Sequence, residues 1–419
     1  MIQLTQVIGA WLLASILLPT AAAHTATYYV ATTGNNSNPG TSSKPWRTVA
    51  YAVSTMVAGD TTYVLDGTYN EGTIRFRRSG TRSAPIKLLN YPGHAPRINF
   101  IDPTAIHRIL IQHSSGPNVA IGWITIEGLE LVNGHDGIKF HSLHDSTIRR
   151  NWIHDNRFMG IMGVGGTRNV FEQNRINHNG WFEACDAGGT KAAYCILHHG
   201  MYMHGSYYTI ANNIIYDNLS YGITQNGSSS SSYSSSVHPG PEFATASNWV
   251  IAHNTFAYNR HRGGIVVWGG ACDDTRIENN IFYENNVTNR HNAAQGIEFV
   301  GAGGANGMSI RNNHFYASGS GNTLQYSGPQ PRDLVSTGNV VNVSPPRFVD
   351  APDTLPDSPN FALTAGSPAI DAGLPLETTR TSFDGTPRPQ GRAPDIGAYE
   401  FSGGADAKSP AAPVGLQAH

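Results

Sequence analysis

Apolar residues recur along the middle of the chain in a short motif that has asparagine at both ends: Asn, any residue, an apolar residue, two variable residues and Asn. Six copies (NWIHDN, NRINHN, NIIYDN, NTFAYN, NIFYEN and NHFYAS, the last ending in serine) begin at Asn151, Asn174, Asn213, Asn254, Asn280 and Asn313. Their first asparagines are 23, 39, 41, 26 and 33 residues apart. A repeat in the low twenties with insertions in single turns is typical of a solenoid. Strand-forming residues flank each asparagine, and stacked asparagines can hydrogen-bond between coils. The pattern therefore predicts an all-β chain, a right-handed parallel β-helix.

A second pattern recurs once in each turn: a glycine, an apolar residue, and then apolar residues in alternation with variable ones. It begins at Gly137, Gly160, Gly200, Gly222, Gly264 and Gly296. Successive side chains of a strand point to opposite faces, so an inward residue after each glycine places the second and fourth residues outward. The predicted outward columns are Lys139, Met162, Tyr202, Thr224, Val266 and Glu298, and beside them His141, Val164, His204, Asn226, Trp268 and Val300. A merely solvated face carries fewer aromatic, histidine and amide side chains, so the columns favour a functional groove.

Composition and charge agree with one elongated domain. The 46 glycines and the 13% of charged residues suit many tight turns around a long buried axis. The formal net charge of −2 gives no basic surface for nucleic acid or for an anionic membrane. We expect a monomer, and any polyanionic partner must be recognised by local positive charge.

The amino-terminal residues have the pattern of a secretory signal peptide. They are apolar from Val7 to Leu18 and end in three alanines, the last at position 23. A hydrophobic core followed by a small-residue cleavage site is typical of such a peptide. An uncleaved membrane span is the alternative, although the run is shorter than the ~20 residues that a span needs. We predict export to the extracellular space, the periplasm or the cell surface, with no membrane span after cleavage. Cys185 and Cys195 lie in one insertion and can form a disulfide there.

Both ends of the mature chain resemble known β-helix proteins. The segment from Thr27 to Pro96, with YYV, NPGT, KPW, GD and GTY in order, resembles the amino-terminal cap of secreted parallel β-helix proteins, including the pectate lyases. The carboxyl end, with SPAIDAG (Ser367–Gly373) and DIGAYEF (Asp395–Phe401), resembles a terminal anchoring or capping segment of bacterial extracellular β-helix proteins. The resemblance implies the fold, secretion and a polysaccharide substrate.

These patterns divide the chain into five parts. They are a signal peptide at 1–23, a cap with the first coils at 24–100, coils with inserted loops at 101–345, a terminal segment at 346–401 and a disordered tail at 402–419.

The groove residues match the needs of β-elimination on an acidic, uronic-acid-containing polysaccharide. That reaction requires neutralisation of the C6 carboxylate, a base for the C5 proton and an acid for the leaving oxygen. Asn226 and Arg262 are the candidates for neutralisation, Tyr202 for the acid, and His204 or Lys139 for the base. The further candidates are His199 beside the catalytic pair, and Trp268, His141 and Glu298 as substrate-binding residues. Some uronan lyases and epimerases pair Tyr with His in this way.

Other functions stay open at this point. A glycoside hydrolase generally needs two facing carboxyl groups, and Glu298 is the single carboxylate of the predicted columns. A C5-epimerase shares the lyase residues, and a non-catalytic carbohydrate-binding or adhesin β-helix needs none of the chemistry. We predict no cofactor and no metal site, because calcium-dependent β-helix lyases carry an aspartate cluster that this chain does not show.

Overall fold

The computed structural model describes residues 25–101, 106–182, 185, 195–228, 239–288, 294–317 and 323–403. The predicted signal peptide and residues 404–419 of the predicted tail therefore lie outside the described residues. Within the described ranges the chain winds through three parallel sheets, and each coil contributes one strand to each sheet in turn.

Sheet 1 and sheet 2 run the length of the stack. In the described part of the chain, sheet 1 consists of Thr27–Val30, Thr61–Val64, Ile86–Asn90, Ile124–Glu127, Thr147–Arg149, Val170–Glu172, Thr209–Ala211, Val250–Ala252, Arg276–Glu278, Ser309–Arg311 and Val335–Thr337. Over the same residues, sheet 2 consists of Gly67–Glu71, Pro96–Phe100, Glu130–Val132, Trp152–His154, Arg175–Asn177, Ile214–Tyr216, Thr255–Ala257, Ile281–Tyr283, His314–Tyr316 and Val340–Val341.

Sheet 3 contains the strands that follow the predicted glycines. Its described strands are Ile74–Phe76, Ile109–Ile111, Asp136–His144, Met159–Thr167, Met201–Met203, Ile223–Asn226, Ile265–Trp268, Ile297–Val300 and Leu324–Ser327, with Ile121–Gly122 beside Asp136–His144. A separate antiparallel pair joins Phe348–Asp350 to Asn360–Leu363. The prediction of a right-handed parallel β-helix is confirmed.

The core fills the inside of the coils, and its layers repeat from coil to coil. Phe256, Phe282 and Phe315 occupy equivalent positions in successive coils of sheet 2. Their rings stack with centroids 5.0 and 4.6 Å apart. Because each inward residue packs on its equivalent one coil away, the period of the sequence becomes a continuous column of buried apolar side chains.

The motif asparagines form two hydrogen-bonded ladders, as the repeat predicts. In the first ladder the side-chain oxygen of Asn254 accepts from the backbone and side-chain nitrogens of Asn213, each at 2.9 Å. The side-chain nitrogen of Asn254 donates in turn to Asn280 at 3.0 Å. The closing asparagines form the second ladder, in which Asn218 donates to Asn259 and Asn259 to Asn285. Both ladders lie at bends, where they satisfy buried backbone groups that the sheets leave unpaired.

The left-handed backbone conformation at these bends belongs to the residue before each asparagine. Asn212, His253 and Asn279, which precede ladder asparagines, have φ values of 54°, 52° and 56°. Non-glycine residues adopt this region at some cost in free energy. The ladder bonds at the next residue offset that cost, so residues other than glycine and asparagine are tolerated there.

The amino-terminal end of the stack is covered by the helix Val49–Thr55. Its side chains Val49, Ala52 and Val53 are buried, at the spacing of one helical face. Thr48 caps the helix by accepting a hydrogen bond from the backbone of Tyr51. A single turn of 3₁₀ helix, Pro241–Phe243, lies between coils. No helix among the described residues has the length and apolar character of a membrane span.

The terminal segment lies along the side of the stack, on the outer face of sheet 2. Phe361, Leu363 and Tyr399 of this segment pack against Tyr216 and Ile281 in a second apolar cluster. Backbone and side-chain bonds tie the segment to several coils, including Gly397 N to Asn279 O at 2.8 Å and Ala398 N to Thr255 Oγ1 at 3.1 Å. The outer face of sheet 3 is thus separate from the surface that the segment covers.

Candidate active site

A cavity of about 430 Å³ opens on the outer face of sheet 3. It lies over Thr224 and Val266, whose small side chains leave a depression between the larger Tyr202 and Glu298. Tyr202 and Glu298 are three coils apart in one register column, or ~14 Å. The residues that line the cavity are Ile196, Leu197, His199, Tyr202, Tyr221, Thr224, Asn226, Ser228, Arg262, Val266, Trp268, Glu298, Val300 and Ser327.

Tyr202 lies at the amino-terminal wall of the cavity, and its phenolic oxygen is held by an amide. Asn226 Nδ2 donates to Tyr202 Oη at 2.6 Å. Asn226 is itself fixed by the backbone N–H of Ser228, which donates to Asn226 Oδ1 at 3.0 Å. A hydrogen bond donated to the phenolic oxygen stabilises negative charge on it. The geometry therefore suits Tyr202 to proton transfer.

His199 is neutral, and its tautomer follows from its contacts. The backbone N–H of Tyr221 donates to His199 Nδ1 at 3.3 Å, so the ring proton belongs on Nε2. Burial, with smaller effects from His198 and Arg262, lowers the pKa of His199 to about 3. Its ring lies nearly parallel to that of Tyr202, with centroids 5.8 Å apart. At neutral pH His199 is thus a hydrogen-bond donor at Nε2 and carries no charge.

A charged cluster forms the opposite wall. The Tyr221 hydroxyl donates to Glu298 Oε2. Arg262 Nη1 lies 3.5 Å from the same oxygen and 3.4 Å from the Tyr221 hydroxyl. Burial, reinforced by the Glu298 carboxylate, raises the pKa of Tyr221 well above its usual value. Tyr221 is therefore a fixed donor to Glu298, while the rest of the Arg262 guanidinium borders the cavity.

The rim of the cavity carries an exposed indole. Trp268 follows Val267 at the end of its strand, and 49% of its surface is exposed. Leu197, two residues after the Cys185–Cys195 disulfide, also borders the cavity. The predicted disulfide is confirmed, with a Cα–Cα separation of 5.7 Å. An apolar rim above polar side chains is the usual arrangement of a carbohydrate site.

The structure brings together most of the predicted site residues. Those that line the cavity are Tyr202, His199, Asn226, Arg262, Trp268 and Glu298. Lys139 and His141 lie on the same face but two coils away from Tyr202, ~10 Å toward the amino-terminal end. Their strand does not border the cavity.

The expected outward direction of His204 is contradicted. Its side chain is 0% exposed, and its Nδ1 is hydrogen-bonded to the backbone carbonyl of Asn226. The strand ends at Met203, and Gly205 follows with a φ of 128°. The alternation of a strand therefore does not extend to His204, which stabilises the turn and does not face the groove.

Tyr221 is a cavity residue that the sequence patterns did not single out. It precedes Gly222, as His199 precedes Gly200. Both side chains lie along the edge of sheet 3 where the strands begin. The position before a glycine of the second pattern carries this signal at His199 and Tyr221.

No described set of three or more His, Cys, Asp and Glu side chains is placed to hold a metal ion. Asp136, the nearest carboxylate to Lys139 in sequence, is buried in an ion pair with Arg108. We therefore assign no residue to calcium or to another metal, and dependence on a cation stays a matter for a chelator experiment.

Comparisons with known proteins give consistent results for the fold. A family model described as Pel9A-like, right-handed β-helix region matches residues 28–193, and one described as periplasmic copper-binding protein (NosD) matches residues 118–323. Pectate lyase L of Dickeya dadantii (strain 3937) is 24% identical over 438 residues, which cover 89% of this chain and 90% of the relative. YwoF, an uncharacterized protein of Bacillus subtilis (strain 168), is 32% identical over 139 residues, 32% of this chain. This match spans 28% of the length of YwoF.

Solved structures of similar architecture include enzymes with different reactions. Pectate lyase Pel9A has a TM-score of 0.53 at 17% identity, with 91% of this chain and 97% of that chain covered. An alginate lyase from Paenibacillus sp. str. FPU-7 has a TM-score of 0.52 at 16% identity over 70% of this chain and 94% of its own. A glycoside hydrolase reaches 0.52 at 8% identity, over 75% and 96%. These likenesses show the fold and leave the reaction open. By its repeats and its coils the chain is a right-handed parallel β-helix protein, and these matches make it similar to the pectate lyases that share this fold.

Proposed function

We propose that the protein is a secreted polysaccharide lyase that cleaves an acidic, uronic-acid-containing polysaccharide by β-elimination. The observation that carries the proposal is the hydrogen bond from Asn226 to the Tyr202 oxygen, beside a neutral His199 and the guanidinium of Arg262. This set supplies a proton-transfer group and two donors for a carboxylate within one cavity.

Each group has a defined task in the elimination. Arg262 and the Nε2–H of His199 bind the uronate carboxylate, and they stabilise the negative charge that moves onto it when the C5 proton leaves. Tyr202 takes that proton and then gives a proton to the leaving glycosidic oxygen. The same side chain thus acts as base and as acid, from one side of the sugar. The amide of Asn226 stabilises the Tyr202 phenolate that takes the C5 proton and that forms again once the leaving oxygen is protonated.

Hydrolysis fits the cavity less well. Glycoside hydrolases generally use two carboxyl groups ~5–9.5 Å apart across the scissile bond. Glu298 is the single carboxylate among the described residues that line the cavity, and it is held by Tyr221 and Arg262. A C5-epimerase shares the lyase groups and differs in the fate of the C5 carbanion.

Export and substrate class are part of the proposal. The disulfide between Cys185 and Cys195 is typical of proteins that fold in an oxidising compartment. Pectate lyase L and Pel9A are named for their action on pectate, and the Paenibacillus enzyme for its action on alginate. We therefore expect a polyuronate substrate in the extracellular space or the periplasm.

The test is the growth of ultraviolet absorbance that accompanies the unsaturated product of elimination. The purified chain is assayed on pectate, alginate, glucuronan and glycosaminoglycans, with and without chelator. Tyr202→Phe should lower kcat by about 100-fold or more, the usual contribution of a general acid–base group. Tyr51→Phe on the surface of the capping helix is the matched control. New reducing ends without absorbance would instead show hydrolysis, and full activity of Tyr202→Phe would remove Tyr202 from the mechanism.

A further inference from the structure

The face of sheet 3 that contains the cavity carries a second group of charges toward its amino-terminal end. Arg75, Leu110 and Lys139 are in register in the first three coils of this sheet. The same column continues through Met162 to Tyr202. Arg75 is exposed and Lys139 half-buried, so both side chains reach the surface beside the cavity.

A third cation lies beside this column. Arg77 lies two residues after Arg75, just beyond the last residue of the strand Ile74–Phe76, and its side chain is exposed. Arg75, Arg77 and Lys139 together are called the basic strip below.

Among the described residues, no carboxylate lies within ion-pair distance of Arg75, Arg77 or Lys139. The carboxylates nearest to them in sequence are both buried: Glu71 accepts from the backbone of Val49 at 2.6 Å, and Asp136 is paired with Arg108. Burial, more than any neighbouring charge, lowers the pKa of Lys139. An anionic ligand on this surface therefore meets unpaired positive charge.

The other end of the same face differs in charge. Beyond Val266 the column continues with Glu298 and Gln325, and the cation nearest to them, Arg262, is already paired with Glu298. The electrostatic asymmetry gives a direction to any bound polyanion. Its charged groups are attracted toward the amino-terminal coils, whereas the paired Arg262 and Glu298 at the other end add no net charge.

We propose that the basic strip is a carboxylate-binding site that holds the uronate residues of the polysaccharide on the amino-terminal side of the cavity. This inference rests on the proposed function, and it adds the position and direction of the polymer. The polymer lies along the axis of the β-helix, from Arg75 past Lys139 to Tyr202. Lys139, a candidate base in the sequence, thus binds substrate and does not take the C5 proton.

The dimensions of the strip predict a dependence on chain length. Four coils separate Arg75 from Tyr202, or ~19 Å, which spans several sugar residues. The half-buried Met162 and Val164 lie between the strip and the cavity, where they can contact the apolar faces of sugar rings. Long substrates reach the strip, and short ones occupy the cavity alone.

The test compares long and short substrates in a double variant, Arg75→Gln with Lys139→Gln. The ratio of kcat/KM on the polymer to kcat/KM on a short oligomer should fall at least tenfold, mainly through KM. The dependence of KM on salt should become weaker, because fewer ion pairs form on binding. Arg311→Gln, an exposed arginine on sheet 1, is the control. An unchanged ratio, or an equal loss in the Arg311 variant, overturns the basic strip.

Binding separates this inference from the proposed reaction. Gel retardation by immobilised polyuronate is measured for the Tyr202→Phe chain with and without the double substitution. If the chain with all three substitutions is retarded less than the Tyr202→Phe chain, the basic strip is supported. This holds even if the wild-type chain forms no unsaturated product and the proposed lyase activity fails. Equal retardation of both chains refutes the strip, even if the wild-type chain is an active lyase.

Discussion

At the residue scale, Trp268 is the cavity residue whose exposed indole can stack on a sugar ring. It is half exposed at the rim of the cavity, above the small side chains of Thr224 and Val266. We expect Trp268→Ala to raise KM by roughly 3- to 10-fold with little change in kcat, because a stacked aromatic ring contributes about 0.5–1.5 kcal/mol beyond its buried area. Trp268→Phe should restore most of the affinity. A large fall in kcat in Trp268→Ala would instead place the indole at the reacting bond.

The buried neutral ring of His199 makes a prediction about pH. Its folded-state pKa of about 3 lies below the ordinary value of 6.5, so the unfolded chain binds the extra proton between these values. Its contribution to stability is complete above about pH 6.5 and is lost as the pH falls toward 3. The free energy of unfolding of His199→Gln should therefore fall less steeply than that of the wild type below pH 6.5, as measured by urea denaturation.

The same substitution tests the assigned tautomer. A glutamine amide can replace the Nε2–H donor, whereas alanine cannot. His199→Gln should retain more activity than His199→Ala, and neither should change the pH–rate profile between about pH 5 and 8. A limb of the wild-type profile that disappears in His199→Gln would show that the ring titrates in the active range.

Some of these residues could be predicted from sequence because the period of a strand fixes the side on which they lie. Tyr202 and Asn226 are at even spacing after their glycines, within strands or at their last residue. The predicted outward direction of His204 was wrong because its strand ends at Met203, one residue earlier. No periodicity indicates that Tyr221 bonds to Glu298, since the two residues are 77 positions apart and meet only when the coils stack.

At the element scale, the asparagine ladder predicts a stability effect that depends on position. Asn254 accepts from Asn213 and donates to the Ile210 carbonyl at 2.8 Å within the stack. Asn254→Ala should lower the free energy of unfolding by about 2 kcal/mol or more, because each buried polar group left unpaired costs about 1–3 kcal/mol. Asn339→Ala is the matched control, since this last asparagine of the ladder is only partly buried. Equal losses at both positions would contradict the ladder as the cause.

The ladder could be predicted from spacing, but the conformation of the bends could not. The six asparagines repeat with the coil, so their stacking follows from the period alone. The residue before each one is left-handed although its identity varies, from Arg150 and Gln173 to His253. Such residues are uncommon in this region, and the hydrogen bonds of the assembled coils stabilise them there.

At the scale of the whole molecule, the terminal segment determines which faces of the β-helix are free. Its motifs, SPAIDAG and DIGAYEF, could be recognised in the sequence as a unit. Their place against sheet 2 depends on apolar side chains such as Tyr258 and Ile281 that face outward from that sheet. These outward apolar residues mark sheet 2 as a face that another part of the chain covers. Since the segment covers sheet 2, the polar groove of sheet 3 stays accessible.

A buried ion pair holds this segment together. Arg388 Nη1 donates to Glu400 Oε2 at 2.6 Å, and both side chains are almost fully buried. Glu400 also accepts from the backbone nitrogens of Gln390 and Asp395, at 2.8 and 2.9 Å. Each oxygen of the Glu400 carboxylate therefore accepts from a donor. In Glu400→Gln the side-chain amide nitrogen would replace one of these oxygens and would face an N–H group. The Arg388 guanidinium would also lose its counterion.

Glu400→Gln should consequently destabilise the segment by about 3–5 kcal/mol, the usual cost of one partner lost from a buried pair. Hydrogen exchange should become faster in residues 360–401 and on the outer face of sheet 2. Protection in sheet 3 and the activity of the cavity should change little, because the segment does not touch the cavity. Glu377→Gln breaks the fully exposed pair with Arg380 and should have no measurable effect. Global unfolding of the Glu400 variant would show instead that the segment and the coils fold as one cooperative unit.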